Sequence, residues 1–346
     1  MQAGMHAAIQ AIEGAFHEAH LQARPIRDLG LAIAGTRLEP LVEEFRGELR
    51  ARGLVRVTPR FYLSTEWGVS FGTVAIAIPF YLARPELAEL HAARTGMVEG
   101  FDAAELLRYL RHEMGHVVNY AYRLYERREW VQTFGAITQP YVEEYRPQPF
   151  SRRFVRHLPG WYAQKHPDED WAETFAVWMT PKLDWRVEYA DRPTALGKLI
   201  LCDKLVGEVG GAAPLVTDDA PDEDVASLGI SLDDFYRGWD SRAPEVPPGL
   251  DGSLRAVFAP TTATVTARRA ATALLKRLEP TLCTEVFRWT GHFPERTRPL
   301  VRQLAERAAA MALEYAAADE PRAIVALTAL VTALAMNHVH HGSYLP

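Results

Sequence analysis

The feature that most limits how this chain can fold is a pair of histidines four residues apart, in a stretch without proline. They lie in the sequence His112-Glu113-Met114-Gly115-His116, which follows the pattern H-E-x-x-H. On a helix, four positions make slightly more than one turn, so both imidazoles face the same way, about 6 Å apart along the axis. Two such nitrogens can bind one zinc ion, and Glu113 can reach a water molecule on that ion. The pattern predicts a helix with His112 and His116 as metal ligands and Glu113 as general base.

The neighbouring residues favour a helix over residues 103–126. Asp102 followed by Glu105 is typical of a capping box at a helix start. Apolar residues then recur at helical spacing as far as Leu124. Gly115 costs a helix about 1 kcal/mol relative to alanine, but so small a residue would let a neighbouring element approach closely. The alternative is a surface helix that carries two solvated histidines by chance.

A third metal ligand has to come from elsewhere in the chain. Catalytic zinc usually has three protein ligands and a water, whereas structural zinc has four protein ligands. The two cysteines, Cys202 and Cys283, lie far apart in sequence, so no cysteine-based zinc site is predicted. No third histidine follows His116 at short spacing. We therefore expect a carboxylate from a second helix.

The best candidate for that second helix begins at Pro167, a residue type that suits the first helical turn. The acidic residues Asp168, Glu169 and Asp170 follow, and negative charge is favourable at a helix N-terminus. Glu169 and Glu173 are four apart, so both face the same direction. One can bind the metal, and the other can hold a ligating histidine through its second ring nitrogen. The spacing leaves open which glutamate does which, and an ordinary amphipathic helix with an acidic first turn is the alternative.

Together the two motifs, H-E-M-G-H and H-P-D-E-D-W-A-E-T-F-A, resemble those of bacterial zinc-binding metallopeptidases, which have H-E-x-G-H followed by H-P-x-E-D-x-A-E. They are more distantly similar to the anthrax lethal factor type of zincin, although Asp170 stands where that type has an aromatic residue. The resemblance covers about residues 61–181. It implies Glu169 as zinc ligand, Glu173 as the residue behind a ligating histidine, and Tyr162 as a hydrogen-bond donor to the transition state. From its own chemistry, Tyr162 is equally a packed aromatic side chain.

Two further histidines lie close to the second motif. His166 directly precedes Pro167, and we expect it to cap the helix or to form a local hydrogen bond. His157 lies among arginines, and we expect it to belong to a basic surface run. Neither is predicted to bind the metal.

Charge and composition exclude several classes of protein. The formal net charge is −6 and 48% of the residues are hydrophobic, which fits a globular protein and lacks the basic footprint of a nucleic-acid-binding one. No run of eighteen apolar residues indicates a membrane span, and residues 1–20 do not have the pattern of a signal peptide. Two cysteines without a disulfide framework suit a reducing compartment. We predict a cytoplasmic protein that binds neither nucleic acid nor membrane.

The chain divides into four predicted segments within an α+β fold. Residues 1–52 are an N-terminal helical segment, and residues 53–207 a zincin-like core with a small sheet, a metal-binding helix and a glutamate-bearing helix. Its strands are expected within 54–63 and 69–82, where apolar residues alternate. Residues 208–256 are an acidic, proline-containing linker or insert, because 208–251 hold eleven acidic and two basic residues. Residues 257–346 form a C-terminal helical region, with helices expected at 267–278, 298–317 and 321–338.

The leading functional prediction is a zinc-dependent metallopeptidase that cleaves a peptide or protein substrate. A zinc-bound water would attack the peptide bond after losing its proton to Glu113. One alternative is a non-catalytic or latent regulatory protein on the same scaffold, with a protein partner bound by the acidic insert or by the C-terminal helices. Another is a zinc-dependent hydrolase of a non-peptide amide.

Overall fold

Helices make up most of the structure, a computed structural model that describes residues 23–95, 97–141, 145, 147–148, 150–237, 249–258 and 267–344. The predicted α+β class is confirmed, with two small two-stranded sheets in these ranges. Residues 1–22 of the predicted N-terminal helical segment lie outside the described residues. The strands are β1 (Arg60–Ser64), β2 (Ala75–Pro79), β3 (Arg268–Ala270) and β4 (Glu314–Ala316). The helices are α1 (Leu38–Ala51), α2 (Pro85–Thr95), α3 (Ala103–Ala121), α4 (Arg128–Phe134), α5 (Pro167–Met179), α6 (Trp185–Glu188), α7 (Pro193–Val209), α8 (Leu232–Arg237), α9 (Leu250–Phe258), α10 (Ala271–Thr290), α11 (Pro294–Ala310) and α12 (Glu320–His341).

A first hydrophobic core joins side chains from Ile26 to Tyr236. Within it β1 and β2 pair in parallel, with Arg60 opposite Ala75. Both strands are shorter than the predicted ranges. β1 starts only after Pro59, because proline has no N–H to donate to a sheet. Every residue of β2 is buried, and this strand packs against α3, so the small sheet supports the helix that carries the H-E-x-x-H motif.

The acidic segment is divided between the two cores and does not form a loose linker. Its residues 208–237 pack onto the first core, while Leu250 and Leu254 belong to the second. Val225, Leu228, Leu232 and Tyr236 are buried in the first core. The Ile26 N–H donates to the carbonyl of residue 230 over 2.9 Å, which ties this segment to the start of the described chain. Burial of its apolar residues stabilises this packing although the segment is acidic. The four-segment division itself stays a prediction, and residues 238–248 lie outside the described residues.

A second hydrophobic core joins side chains from Leu250 to Tyr344. The three predicted C-terminal helices are present as α10, α11 and α12, with α9 beside them. The predicted end of the second at residue 317 is wrong, since α11 ends at Ala310 and residues 314–316 form β4, which pairs with β3. The predicted end of the first at residue 278 is wrong, since α10 continues through Pro280 to Thr290. Leu282 and Val286, both buried, extend its apolar face beyond the proline, and their burial offsets the missing hydrogen bond.

One described helical stretch has the length and composition of a membrane span. It runs over Ala317–His341 with a hydropathy of 1.6, and 28% of its most apolar window is buried. Core helices of water-soluble proteins have the same properties, and the buried side of α12 contributes to the second core. Threonines at 328 and 332 interrupt its apolar run, so a count of uninterrupted apolar residues does not detect it.

Candidate metal centre

Helices α3 and α5 meet at a contact between two small residues. A Cβ atom added to Gly115 would lie 2.7 Å from the Cα of Ala172, which is closer than side chains permit. The indole Nε1 of Trp171 donates to the carbonyl of Gly115 over 2.8 Å and fixes the crossing. The close approach predicted at Gly115 is confirmed. It brings the H-E-x-x-H turn of α3 opposite the first two turns of α5.

Local hydrogen bonds fix where both helices begin. Asp102 accepts from the Glu105 N–H over 2.8 Å, so the predicted N-cap is present. The return bond differs from that of a capping box, because Glu105 accepts from the N–H of residue 101, over 3.2 Å, and not from that of Asp102. At the start of α5, His166 Nδ1 accepts from the Asp168 N–H over 3.2 Å, and Pro167 is the first helical residue. α3 ends at Ala121 and not at 126. The chain then turns through a left-handed residue, at position 123, into a short 3-10 turn.

Three potential ligand atoms converge between the two helices. His112 Nε2 lies 3.0 Å from Glu169 Oε2, and His116 Nε2 lies 3.3 Å from the same oxygen. The two Nε2 atoms are 3.3 Å apart. All three side chains are buried and form a group that could hold a metal ion. Of the two candidate glutamates, Glu169 is therefore the one whose oxygen faces both Nε2 atoms.

Two other carboxylates hold the far side of each imidazole. His112 Nδ1 donates to Glu173 Oε1 over 3.1 Å, and His116 Nδ1 donates to Asp168 Oδ2 over 3.0 Å. A neutral imidazole protonated at Nδ1 carries a lone pair at Nε2, and these partners assign that tautomer to both rings. Both Nε2 lone pairs then point at the Glu169 carboxylate, an arrangement that is stable only with positive charge between them.

A zinc ion fits this donor set. Tetrahedral zinc with bonds of about 2.0–2.1 Å separates neighbouring ligand atoms by roughly 3.3 Å. The three separations, 3.0, 3.3 and 3.3 Å, lie close to that spacing. Imidazole nitrogens anchored by carboxylates, with one further carboxylate, are typical ligands of catalytic zinc. The residues present therefore suit a three-ligand site, in which a fourth coordination position is open.

The electrostatic field in this pocket favours a cation. Burial lowers the pKa of His112, but hydrogen bonds to Glu169 and Glu173 outweigh it and raise that pKa to about 9. Burial likewise lowers the pKa of His116, and the nearby Asp168 and Glu169 raise it well above its usual value. In the absence of a metal ion, protons take the place of the cation. Metal binding must therefore displace protons from the histidines.

Glu113 lies in the same helical turn and lines the cleft in front of the three ligand atoms. Its side chain is buried, at 5% exposure. Burial raises the pKa of Glu113, while the charges of His112 and His116 lower it in part. A carboxylate whose proton affinity is raised in this way is suited to accept a proton from water near neutral pH.

Two tyrosines lie beside Glu169 on the open side of the pocket. Tyr141 donates to Glu169 Oε1 over 2.8 Å, and its hydroxyl lies 3.4 Å from that of Tyr162. The ring of Tyr162 packs edge-on against His112, with 5.5 Å between centroids. Burial and the charge of Glu169 raise the pKa of Tyr162 well above its usual value, so its hydroxyl keeps its proton. Tyr162 is thus a neutral donor at the site, within a cluster of packed aromatic rings.

Hydrogen bonds also hold the two outer carboxylates. Glu173 accepts from the backbone N–H groups of His157 and Leu158, over 2.8 and 3.0 Å. Asp168 accepts from Asn119 Nδ2 over 2.7 Å and from the hydroxyl of Tyr120. Carboxylates held in this way keep each imidazole in one orientation, which preserves the ligand geometry.

Sequence reasoning missed three of these features. The sequence indicates Asp168 only as part of an acidic first turn, although Asn119, seven residues after His112 and on the same helical face, is a usable signal of a buried polar partner. Tyr141 lies in an irregular stretch where no periodicity could point to it. His157 is 6% exposed, so the prediction of a surface position is wrong. The short-range hydrogen bond predicted for His166 is present at the α5 cap.

The centre opens into a cleft of about 950 Å³. Both hydrophobic cores contribute to its walls, since Phe287, Phe293 and Arg296 of the C-terminal region line it. Trp67 and Gly68 also line it, and the Gly68 carbonyl accepts from the Ala77 N–H of β2 over 2.9 Å. The cleft is therefore lined both by residues bonded to the small sheet and by the C-terminal helices.

Comparison with known families agrees with this centre. Residues 64–186 match the sequence model of a family described as "Putative zinc-binding metallo-peptidase". Searches of curated proteins and of solved structures found no match. The matched range contains both motifs, the two helices and the tyrosine pair, while the more distant similarity to lethal factor stays a prediction. Over residues 64–186, this chain is therefore similar to that zinc-binding metallo-peptidase family.

Proposed function

We propose that the protein is a zinc-dependent peptidase that hydrolyses peptide bonds in the cleft above His112, His116 and Glu169. The observation that carries the proposal is the convergence of two Nε2 atoms and one carboxylate oxygen, separated by 3.0–3.3 Å, with Glu113 in the same helical turn. The zinc-binding description of the matched family supports the same chemistry.

The three converging residues would hold the ion, and Glu173 and Asp168 would hold the imidazoles that bind it. When bound, zinc supplies Lewis acidity that polarises a carbonyl and makes water a nucleophile near neutral pH. The carboxylates behind each histidine raise its basicity and prevent the ring from rotating. The chain thus provides the rigid frame that this chemistry requires.

Glu113 would be the residue that transfers a proton during hydrolysis. Its carboxylate oxygen would take a proton from the attacking water and pass it to the nitrogen of the departing amine. Burial raises its pKa, which increases its proton affinity for the first transfer. Tyr162, which keeps its proton, would donate a hydrogen bond to the oxyanion that develops on the substrate carbonyl. Tyr141 would orient Glu169 and Tyr162, since it lies between them.

The size and the walls of the cleft favour a peptide over a small amide. A volume of about 950 Å³ lies at the upper end of the range for small-ligand pockets. Residues 65–69, which bond to β2 through Gly68, line the cleft, and an extended chain could pair with their backbone. We also propose a cytoplasmic location, which two free, buried cysteines support.

The test measures bound zinc and the cleavage of a peptide library. Wild type should bind one zinc ion and cleave a subset of peptides. Glu113→Gln should keep the zinc and lose about a hundredfold to ten-thousandfold in kcat, because it removes the proton acceptor. His112→Ala should lose both zinc and activity, because only two ligands remain.

Glu105→Gln is the matched control, since it makes the same change two helical turns before Glu113 on the same helix. The glutamine amide oxygen can accept the same hydrogen bond as glutamate, so neither zinc content nor kcat should change. A wild-type protein that binds no zinc would exclude the metal centre. Zinc binding together with resistance of every peptide would point to a latent scaffold, and turnover of small amides alone would point to the non-peptide alternative.

A further inference from the structure

The C-terminal helices contact the segment that carries Tyr162. The contact is made by the α10–α11 corner, residues 287–293. A Cβ added to Gly160 would lie 3.0 Å from the Phe287 ring, and one added to Gly291 would lie 3.2 Å from the Gly160 carbonyl oxygen. Tyr145 donates to the same carbonyl over 2.6 Å. The backbone at Gly160 is therefore enclosed by the corner on one side and by Tyr145 on another.

The enclosed backbone has an unusual conformation. Gly160 has a φ of 78° and Trp161 a φ of 62°. For tryptophan the left-handed region is unfavourable in isolation, so neighbouring groups have to maintain it. Arg156 lies over the Trp161 ring at 4.2 Å and over the Trp289 ring at 5.1 Å. It also donates to a carbonyl at the end of α10, so the corner holds both residues of the turn.

The segment from His157 to Tyr162 contacts the metal centre at both of its ends. At its start, the N–H groups of His157 and Leu158 donate to Glu173, which accepts from His112 Nδ1. At its end, Tyr162 lies beside His112 and near Tyr141. A shift of this short segment would displace a hydrogen-bond donor to substrate and would loosen the carboxylate behind one ligand.

Helix α11, which begins directly after the corner, is anchored to α2, whose residues also line the cleft. Arg298, a buried side chain at 6% exposure, donates to the carbonyls of Ala92 and Ala93 in α2. Glu279 of α10 lies 3.1 Å from the Arg298 guanidinium and balances its charge. The corner thus leads directly into a helix with fixed contacts, as a positioning element requires.

We propose that the α10–α11 corner contributes to the active site. It positions Tyr162 and, through Glu173, it also positions His112. The inference rests on the proposed peptidase function for its kinetic consequences only. It assigns Phe287 as a positioning residue that acts through the Gly160–Trp161 turn. The C-terminal region therefore contributes to catalysis and is not merely an appended bundle.

The first test compares Phe287→Ala with Phe258→Ala. Both remove a buried phenylalanine from the C-terminal region, but Phe258 packs on Tyr315, with 6.1 Å between centroids, away from the corner. In Phe287→Ala, amide hydrogen exchange at 157 and 158 should accelerate by about tenfold or more, because local opening becomes easier. Phe258→Ala should leave these amides unchanged. This measurement needs no enzymatic activity.

The second test is kinetic. Phe287→Ala should lower kcat by about tenfold to a hundredfold with little change in KM, because a small misplacement of a donor acts on the transition state. Phe287→Leu should recover most of that loss, since it refills the space over Gly160. In a Tyr162→Phe background, Phe287→Ala should cost less than about threefold, because the two changes act through one hydroxyl.

The outcomes separate the two proposals. Unchanged exchange at 157 and 158 in Phe287→Ala, or strictly additive effects with Tyr162→Phe, would overturn the positioning role. If the wild type cleaves no peptide, the peptidase proposal fails, while the exchange measurement still decides whether the corner holds the segment. If either alanine variant unfolds, Phe287→Leu and Phe258→Leu take their places in the exchange comparison, with a smaller acceleration expected in the former.

Discussion

The two hydrophobic cores differ in what they enclose. The first, between residues 26 and 236, surrounds a set of ionisable side chains that are all less than 9% exposed: His112, Glu113, His116, Asp168, Glu169, Asp170, Glu173 and Lys198. The second, between residues 250 and 344, is built mainly from leucine, alanine and valine. Among its described residues, the buried polar side chains are those of Thr290, His292, Thr297 and Arg298.

This difference in buried side chains indicates which part of the molecule contains the functional site. Burying ionisable groups costs free energy unless they are paired, so clusters of them are typical of functional sites. In the first region they surround the proposed metal. In the second, the buried polar residues that the structure describes lie between 290 and 298, where the C-terminal region faces the cleft. The remainder of that region has the composition of a purely structural bundle.

The largest loss of stability is expected when one of the paired buried charges of the first region is removed. Lys198 Nζ lies 2.5 Å from Asp170 Oδ2, and both side chains are buried. Lys198→Met should lower the free energy of unfolding by about 3–5 kcal/mol, because it leaves a buried carboxylate without a partner. Urea unfolding of the two proteins measures the loss.

A double variant that removes both charges distinguishes the cost of an unpaired carboxylate from the cost of a packing defect. The double variant Lys198→Met with Asp170→Asn should recover most of the lost stability, because neither side chain is then charged. Leu327→Ala, at a fully buried position of the second core, should cost about 2–5 kcal/mol through lost packing alone. If Asp170→Asn gives no recovery, the two cores do not differ in the way described.

A smaller effect concerns zinc affinity. Glu173→Gln should weaken zinc binding by about tenfold to a hundredfold, because the amide holds His112 less firmly than a carboxylate does. Asp168→Asn should act similarly on His116, since the two carboxylates occupy equivalent positions behind the two ligands. Competition with a chromogenic chelator measures both dissociation constants. Unaltered affinity in both variants would mean that these carboxylates do not support the metal.

Local sequence patterns predicted the parts of this site that depend on helical periodicity. The spacing of His112 and His116, the N-cap at Asp102 and the proline at the start of α5 all act within one or two helical turns. Gly115 also signalled a close contact before its partner was known. The choice of Glu169 over Glu173 came from family resemblance, because both lie on one helical face and only the packing of α5 on α3 separates them.

The remaining features depend on contacts between distant parts of the chain. Tyr141 reaches Glu169 from an irregular stretch, where side-chain direction follows no period. The Gly160–Trp161 turn is maintained by residues more than a hundred positions later, and no local signal marks such a contact. Element bounds are also hard to predict from sequence. β1 begins only at Arg60 and α10 continues past Pro280, because burial decides how far each element extends.

The smallest effect is expected from the titration of His292, a buried histidine of the second region. Burial lowers the pKa of His292 to about 3, with the nearby His338 and Arg296 acting in the same direction. Its ring is neutral and bonded to Thr297 and Tyr344, each over 2.8 Å. Because the folded pKa lies below the unfolded value of about 6.5, its contribution to stability is complete above pH 6.5 and is lost as the pH falls towards 3.

At pH 5 that loss should reach about 2 kcal/mol, because the unfolded chain alone binds the proton. His292→Gln keeps a polar side chain but cannot titrate, so its stability should fall less than that of wild type between pH 7 and pH 5. Chemical unfolding at both pH values gives the two differences. Since His292 lies in the α10–α11 corner, hydrogen exchange at 157 and 158 should respond to acid in wild type more than in the variant. Equal pH dependence in the two proteins would show that the buried polar residues of the corner do not control its stability.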